Sequence, residues 1–314
     1  MNLPSEKELL QTISRVTPHV HQTPVVTSSY INELTGADVF FKCENFQKMG
    51  AFKMRGAINA ILQLSETQQK AGVVTHSSGN FAQALSLAAK NLGVTAYIVM
   101  PSNAPSVKKE AVKGYGGIIT ESEPTLQARE TAANAIVMER GATFLHPSNN
   151  LHVILGQATA ASELLTTHPE LDHIFAPVGG GGLIAGTALA AHYFGTNCTT
   201  IGGEPMAADD AFRSMQTGRI ETNTSVITIA DGLKTNLGDV NFPIIQHLVS
   251  EIIRVEEQEI MAAMRLLWER LKLVTEASSA VPLAALIKDK NRFQDKKIGI
   301  ILSGGNVDLL HLPF

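Results

Sequence analysis

Residues 174–193 read IFAPVGGGGLIAGTALAAHY, a short apolar run followed by four glycines and a longer apolar segment. This pattern predicts a buried strand over 174–178, a glycine turn at 179–182 and a helix over 183–193. Backbone N–H groups of such a turn can surround a phosphate at the start of a helix. A tight turn that needs glycine only for its dihedral angles is the alternative. Four glycines exceed that need, so the phosphate interpretation is favoured.

The same alternation of strand and helix recurs along the chain. Strands are predicted at 72–75, 96–100, 117–120, 143–145, 174–178, 199–203 and 297–302, and helices at 81–92, 105–113, 125–139 and 183–193. Strands that alternate with helices predict an α/β fold with parallel sheets covered by helices on both faces. Three loops rich in Gly, Ser or Asn, at 76–81, 179–182 and 303–306, follow predicted strands. Because ligands bind beyond the carboxyl ends of such strands, we expect the functional site where these loops meet.

Composition places the chain among ordinary globular proteins, with 44% hydrophobic and 17% charged residues and a formal net charge of −4. This charge gives no reason to expect nucleic acid or a membrane surface as a partner. The two cysteines, Cys43 and Cys198, lack the spacing of a zinc site or a disulfide framework. Neither a signal peptide nor a membrane-spanning run is predicted. We therefore expect a cytoplasmic enzyme.

A dinucleotide site is the main alternative for the glycine run. Residues 180–185, GGGLIA, fit the pattern G-x-G-x-x-A, and Glu204 follows the next predicted strand, where a ribose-binding acid would lie. This interpretation leaves Lys53 and the loop 76–81 without a role. The sequence contains no HExxH pair, G-x-S-x-G elbow or P-loop, so hydrolase and NTPase classes lack support.

Lys53 lies among small and apolar residues in the segment 49–57, MGAFKMRGA. Partial desolvation would lower the basicity of its amine and favour reaction with a carbonyl carbon. A lone lysine usually keeps its amine in water at the surface, and spacing alone favours that alternative. The loop Ser77-Ser78-Gly79-Asn80 offers hydroxyl, amide and backbone N–H groups before a predicted helix. These groups suit a substrate carboxylate, N-capping of the helix, or both.

An acidic cluster, EPMAADD at 204–210, follows the strand predicted at 199–203. Its carboxylates and a backbone carbonyl suit a hard cation such as Mg²⁺ or Ca²⁺. Acidic residues also favour the start of a helix, because they complement the helix dipole. The residues by themselves favour the helix start.

Four motifs occur in one order: GAFKMRGA at 50–57, SSGN at 77–80, GGGG at 179–182 and SGGN at 303–306. Their order and spacing resemble the fold type II enzymes that depend on pyridoxal phosphate (PLP), the tryptophan synthase β family. The branch with serine racemase, serine/threonine dehydratase and hydroxyaspartate dehydratase is the most similar. The resemblance implies two open twisted sheets, mostly parallel and flanked by helices. It implies a large PLP-binding domain of residues 1–66 and 150–314 and a small mobile domain of residues 67–149.

The resemblance further implies how the cofactor is held. Lys53 matches the lysine that forms a Schiff base with PLP, Asn80 the residue at the pyridine 3-oxygen, and Ser303 the partner of the pyridine nitrogen. The remaining cofactor positions are Phe52, Glu276 and the phosphate-binding glycines Gly179, Gly180, Gly181 and Gly182. A hydroxyl at position 303 cannot keep the pyridine nitrogen protonated as a carboxylate would, which favours β-elimination over transamination.

Substrate and metal positions follow from the same resemblance. The expected substrate contacts are Ser77, Ser78, Asn80, Phe81 and Arg129, and the expected cation ligands are Glu204, the carbonyl of Ala208, and Asp210. The resemblance thus favours a site for Mg²⁺ or Ca²⁺ in the acidic cluster, whereas the residues by themselves favour a helix start. Most relatives carry His where Phe81 stands, and often Asn or Tyr where Ser148 stands. These two departures concern the substrate and not the cofactor.

The implied reaction is dehydration and deamination of serine, threonine or 3-hydroxyaspartate to a keto acid and ammonia, with Lys53 as the base. A serine or aspartate racemase is the alternative, in which Lys53 and Ser78 act on opposite faces of the substrate. A non-catalytic PLP-binding protein is a third hypothesis. The resemblance also implies a homodimer.

Overall fold

The structure is a computed structural model that describes residues 3–314. Its strands are β1 (Val25–Val26), β2 (Asp38–Cys43), β3 (Val73–Thr75), β4 (Ala96–Pro101), β5 (Ile118–Ser122), β6 (Thr143–Phe144), β7 (His173–Pro177), β8 (Thr199–Pro205), β9 (Val249–Val255) and β10 (Lys297–Leu302). They form a six-stranded sheet in the order β1-β2-β10-β7-β8-β9 and a four-stranded sheet in the order β5-β4-β3-β6. Every neighbouring pair is parallel except β1 with β2.

Thirteen α-helices accompany the sheets within residues 3–314. They are α1 (Glu6–Val16), α2 (Ser29–Thr35), α3 (Lys53–Leu62), α4 (Glu66–Ala71), α5 (Asn80–Leu92), α6 (Ser106–Gly114), α7 (Leu126–Arg140), α8 (Leu151–Thr167), α9 (Gly182–Phe194), α10 (Asp210–Thr217), α11 (Phe242–Leu248), α12 (Glu257–Leu266) and α13 (Ala277–Lys288). In this described part of the chain, no helix is both long and apolar enough to cross a membrane.

The larger sheet is buried on both faces, which explains why its central strands are apolar throughout. Phe175 and Ile300 pack on one face with the side chains of α12 and α13. Ile174 and Ile301, which neighbour them in sequence, pack on the other face with α8 and α9. The predicted α/β fold with two mostly parallel sheets is therefore confirmed. The smaller sheet consists only of residues between 73 and 144, while the boundaries and mobility of a small domain stay predictions.

Helix α8 packs between α3 and α9, and glycine permits both close approaches. A Cβ atom on Gly156 would lie 2.5 Å from the carbonyl oxygen of Arg55, and one on Gly186 would lie 2.6 Å from that of Ile154. Such distances exclude any side chain at either position. Because α3 begins at Lys53 and α9 begins in the glycine run, α8 fixes these two segments relative to each other.

Candidate active site

A cavity of about 730 Å³ is lined by residues from loops that follow strands of both sheets. Lys53, the loop 76–81, the glycines 179–182, the segment 231–236 and the side chains of Ser303 and Asn306 line it. The structure thus brings together the three loops whose sequence patterns resemble ligand-binding loops. Their meeting point lies beyond the carboxyl ends of β3, β7 and β10, as expected for a parallel sheet.

Lys53 directs its amine into this cavity from the first residue of α3. The Nζ atom donates a hydrogen bond of 2.7 Å to the carbonyl oxygen of Pro147. It lies 5.0 Å from the ring centroid of Phe52 and 5.8 Å from that of Phe81. Burial lowers the pKa of Lys53 to about 8, although the nearby Glu276 carboxylate acts in the opposite direction. A larger fraction of the amine is therefore unprotonated, and thus nucleophilic, than in an exposed lysine.

The glycine run forms the turn from β7 into α9, and its geometry requires glycine. Gly181 has a φ of 81°, in the left-handed region that favours glycine. A Cβ atom on Gly180 would lie 2.4 Å from the Ser148 hydroxyl oxygen. The Asn241 amide donates to the Gly180 carbonyl oxygen at 2.8 Å and holds the turn in place. A bare backbone at the start of a helix, open to the cavity, suits a phosphate group.

Ser303 and Glu276 line another part of the cavity, and both are held by hydrogen bonds. The Ser303 hydroxyl lies 3.1 Å from the Ser279 hydroxyl, which also donates to the Gly304 carbonyl oxygen at 2.7 Å. Glu276 accepts two hydrogen bonds of 3.0 Å from the Asn80 amide. Burial, together with the charge of Asp231, raises the pKa of Glu276 to about 7.

The hydroxyl groups of Ser77 and Ser78, in the loop before α5, do not cap that helix. Helix α5 begins at Asn80 without a side-chain cap, so the N-capping alternative for these serines is wrong. The Ser77 hydroxyl accepts a weak hydrogen bond of 3.4 Å from the Gly79 N–H, and Ser78 also lines the cavity. Arg129, on α7, donates to the His76 carbonyl oxygen at 3.2 Å and lines the same cavity.

His146 and an ion pair at the cavity were not predicted. The His146 Nδ1 atom accepts from the backbone N–H of Asn149 at 2.8 Å, and burial lowers its pKa to about 4. His146 is therefore neutral and carries its proton on Nε2. Lys108 and Asp231 form an ion pair of 2.7 Å that joins α6 to the segment 231–236. The hydrogen-bond partner of His146 lies in the same short segment, HPSN at 146–149, whereas Lys108 and Asp231 are 123 residues apart.

The acidic cluster lies at the start of α10, outside the residues that line the cavity. Glu204 accepts backbone N–H bonds of 2.9 and 2.8 Å from Ala211 and Phe212. Asp210 accepts from the Asn223 amide at 2.7 Å and from the Leu237 N–H at 3.0 Å. The helix-start interpretation is therefore partly correct, because Glu204 accepts hydrogen bonds from N–H groups in the first turn of α10.

Within residues 3–314, neither of these two carboxylates forms a salt bridge with a basic side chain. Arg213 and Arg254 pair with Asp209 instead, each at 2.8 Å. Burial raises the pKa of Glu204 well above its usual value, and burial also raises the pKa of Asp210 to about 6. Buried neighbouring carboxylates with free oxygen lone pairs fit a divalent cation. Ala208, one of the expected ligands, is buried in the turn between them.

Known proteins match this chain over nearly its whole length. A family model described as pyridoxal-phosphate dependent enzyme matches residues 16–304. A β-hydroxyaspartate dehydratase of Paracoccus denitrificans (strain Pd 1222) is 46% identical over 314 residues, which is 100% of both chains. A serine racemase of Dictyostelium discoideum is 48% identical over 307 residues, 96% of this chain and 95% of that one.

Solved structures agree with these sequence matches. The structure of maize serine racemase superposes with a TM-score of 0.94 and 46% identity, covering 96% of this chain and 93% of that chain. The cavity described above fits PLP, because it combines a reactive lysine amine with a phosphate-binding turn. The match displaces the dinucleotide interpretation of the glycine run. This chain belongs to the pyridoxal-phosphate dependent enzymes of fold type II.

Proposed function

We propose that this enzyme removes the β-hydroxyl group of a small β-hydroxy amino acid and releases a keto acid and ammonia. The observation that carries the proposal is one cavity that contains the Lys53 amine, the glycine turn and the loop 77–80. Relatives named β-hydroxyaspartate dehydratase and L-threo-3-hydroxyaspartate ammonia-lyase, 46% and 42% identical, support it. Serine, threonine and 3-hydroxyaspartate are the candidate substrates.

PLP, when bound, supplies an electron sink for charge that develops at the substrate Cα atom. Lys53 would hold the cofactor covalently and then act as the base at the α-proton, a role that its pKa of about 8 favours. The cofactor would be bound by Phe52, Lys53, Asn80, Gly179, Gly180, Gly181, Gly182, Glu276 and Ser303. The substrate would be bound by Ser77, Ser78, Asn80, Phe81 and Arg129, with the loop N–H groups at its carboxylate.

Racemisation is the second candidate function. Ser78 lines the same cavity as Lys53, so a second base is available to return a proton to Cα. The relatives named serine racemase, at 45–48% identity, support this candidate as strongly as the dehydratases support the first. Both activities use the same cofactor and the same lysine, so one enzyme can perform both.

A substrate panel with Ser78→Ala as a matched variant separates the candidates. We expect L-serine, L-threonine or L-threo-3-hydroxyaspartate to yield more keto acid than D-enantiomer, measured by coupled dehydrogenase assay and chiral chromatography. In Ser78→Ala, formation of D-enantiomer should fall about 10²–10⁴-fold, because proton transfer loses one base, while keto acid formation falls less. D-enantiomer as the main product would support the racemase. Bound cofactor without turnover of any substrate would support a non-catalytic PLP-binding protein.

We also propose the arrangement of the whole enzyme. Residues 1–66 and 150–314 would form a large domain and residues 67–149 a small domain that closes over the substrate and excludes water. The Lys108–Asp231 ion pair is one contact across that boundary. A homodimer and a cytoplasmic location are parts of the same proposal. The unpaired thiols of Cys43 and Cys198 fit a reducing compartment.

We propose that Glu204, Asp210 and the Ala208 carbonyl oxygen bind Mg²⁺ or Ca²⁺. The support is a pair of buried carboxylates, neither of which forms a salt bridge within residues 3–314. Asp210 also accepts from the N–H of Leu237, whose side chain approaches the position of Gly181. A cation at this site would therefore stabilise the glycine turn through Asp210 and Leu237.

Removal of the Asp210 charge should remove the effect of divalent cations. We expect millimolar Mg²⁺ or Ca²⁺ to raise the melting temperature of the wild-type enzyme over that in chelator, because a ligand at 100 times its Kd stabilises by about 2.7 kcal/mol. Asp210→Asn should lose this increase. Asp209→Asn is the matched control, because Asp209 pairs with arginines and should keep the increase. A wild-type enzyme that melts identically in cation and in chelator would rule out the site.

A further inference from the structure

Asn306 connects three segments of the active site through its side-chain amide. Its Nδ2 atom donates hydrogen bonds of 2.9 Å to the carbonyl oxygen of Met49 and of 2.9 Å to Oδ1 of Asn80. Asn80 in turn donates through its own Nδ2 atom to both carboxylate oxygens of Glu276. The four groups form one chain of hydrogen bonds, from Met49 through Asn306 and Asn80 to Glu276.

The two ends of this chain determine the orientation of both amides. The carbonyl oxygen of Met49 can only accept a hydrogen bond, so Asn306 must face it with Nδ2. The second Nδ2 hydrogen then points at Asn80, which must present Oδ1. Asn80 therefore turns its own Nδ2 towards Glu276, whose carboxylate accepts. The reverse orientation of either amide would bring two acceptors together.

Asn306 also supports the turn before Lys53. Met49 has a φ of 57° and Gly50 a φ of 76°, so a non-glycine residue occupies the left-handed region here. Such a residue is costly unless its surroundings hold it in place. A Cβ atom on Gly50 would lie 2.7 Å from Oδ1 of Asn306, so the asparagine packs directly on this turn. Gly305 adds a backbone hydrogen bond of 2.9 Å to the Gly50 carbonyl oxygen.

We propose that Asn306 is a positioning residue that fixes the orientation of the Asn80 amide and of the turn that precedes Lys53. The inference rests on the proposed role of Asn80 at the cofactor 3-oxygen. One Nδ2 hydrogen of Asn80, shared between the two carboxylate oxygens of Glu276, accounts for both of those bonds, and the other remains for the cofactor oxygen. An Asn80 amide without this support could rotate and present an acceptor to an oxygen that needs a donor.

The test is an absorbance titration of the PLP-loaded enzyme without substrate. Asn306→Asp preserves the shape of the side chain but replaces the donor by an acceptor, so Asn80 should turn to donate to it. The cofactor oxygen then loses a donor to its charged form. We expect the pH midpoint of the cofactor band at ~410–420 nm to rise by about one to two units. Asn45→Asp is the matched control. The Asn45 side chain packs on Gly305, the residue before Asn306, but does not line the cavity.

The outcomes separate this inference from the proposed function. A wild-type midpoint kept in Asn306→Asp overturns the positioning role, whether or not the melting temperature of the cofactor-free variant falls. A wild-type protein that takes up no PLP overturns the proposed function instead. Asn306→Ser is measured beside Asn306→Asp, because the new carboxylate of Asn306→Asp would raise the midpoint by its charge alone, whereas serine adds no charge. Its short hydroxyl cannot reach both Met49 and Asn80, and the midpoint should rise in the same direction. A rise in Asn306→Asp without one in Asn306→Ser overturns the positioning role.

Discussion

Lys53→Ala is expected to abolish the cofactor absorbance at ~410–420 nm and to lower kcat by at least about 10³-fold. The variant loses both the group that would bond to PLP and the base that would remove the α-proton. Within residues 3–314 the Lys53 amine makes one hydrogen bond, to the Pro147 carbonyl oxygen, so its loss should change the melting temperature of cofactor-free protein little. Spectral and kinetic losses without unfolding are the signature of a residue that reacts.

Lys48→Ala is the matched control for this result. Lys48 lies five residues earlier in the same segment, and its amine donates to the His19 carbonyl oxygen at 2.8 Å. Its removal should leave the absorbance and kcat within about twofold, because Lys48 does not line the cavity. If the absorbance band survived in Lys53→Ala, or vanished in Lys48→Ala as well, Lys53 would not be the attachment point of the cofactor.

The strand-turn-helix units of the fold could be predicted because their signals are local. The helix predicted at 183–193 is α9 (Gly182–Phe194), and the strand predicted at 297–302 is β10 with the same bounds. Strands β1, β2 and β9 were not predicted. In β2 (Asp38–Cys43), Lys42 interrupts the apolar run, yet it is buried because its amine pairs with Glu163, 121 residues away. No local pattern contains that partner.

The active site, like the fold, combines features that short sequence motifs predict with features that depend on residues remote in sequence. The glycine run, the loop 77–80 and Lys53 belong to short motifs, and the structure brings them to one cavity. Asn306 also belongs to such a motif, but the function of its amide depends on Met49 and Asn80, which are remote in sequence. A motif identifies the residue types that a site needs. The hydrogen-bond direction that orients them depends on tertiary contacts.

Arg55→Met is expected to destabilise the protein by about 3–5 kcal/mol, the largest stability effect that we predict for a single substitution. Arg55 is fully buried and pairs with Glu44 at 2.7 Å and with Glu163 at 2.7 Å. Lys42 balances the second carboxylate at 2.6 Å, so the four charges cancel. Burial by itself would raise the pKa of Glu44, but Arg55 and Lys42 more than offset it and the pKa is lowered. Methionine would preserve the volume and leave Glu44 as a buried charge without its main partner.

The pH dependence of the stability deficit in Arg55→Met distinguishes a buried unpaired charge from a packing defect. With Arg55 gone, the pKa of Glu44 should rise above its unfolded value near 4.5, so the native variant binds a proton that the unfolded chain does not. The stability deficit should therefore shrink as pH falls from 7 towards 4.5, and Glu44→Gln should recover part of it at pH 7. Arg292→Met, which breaks exposed pairs with Glu251 and Asp289, is the control and should cost at most about 1 kcal/mol. Urea denaturation of cofactor-free protein measures these differences. A deficit that stays constant with pH would mean that the lost packing of the Arg55 side chain, and not the buried charge of Glu44, causes it.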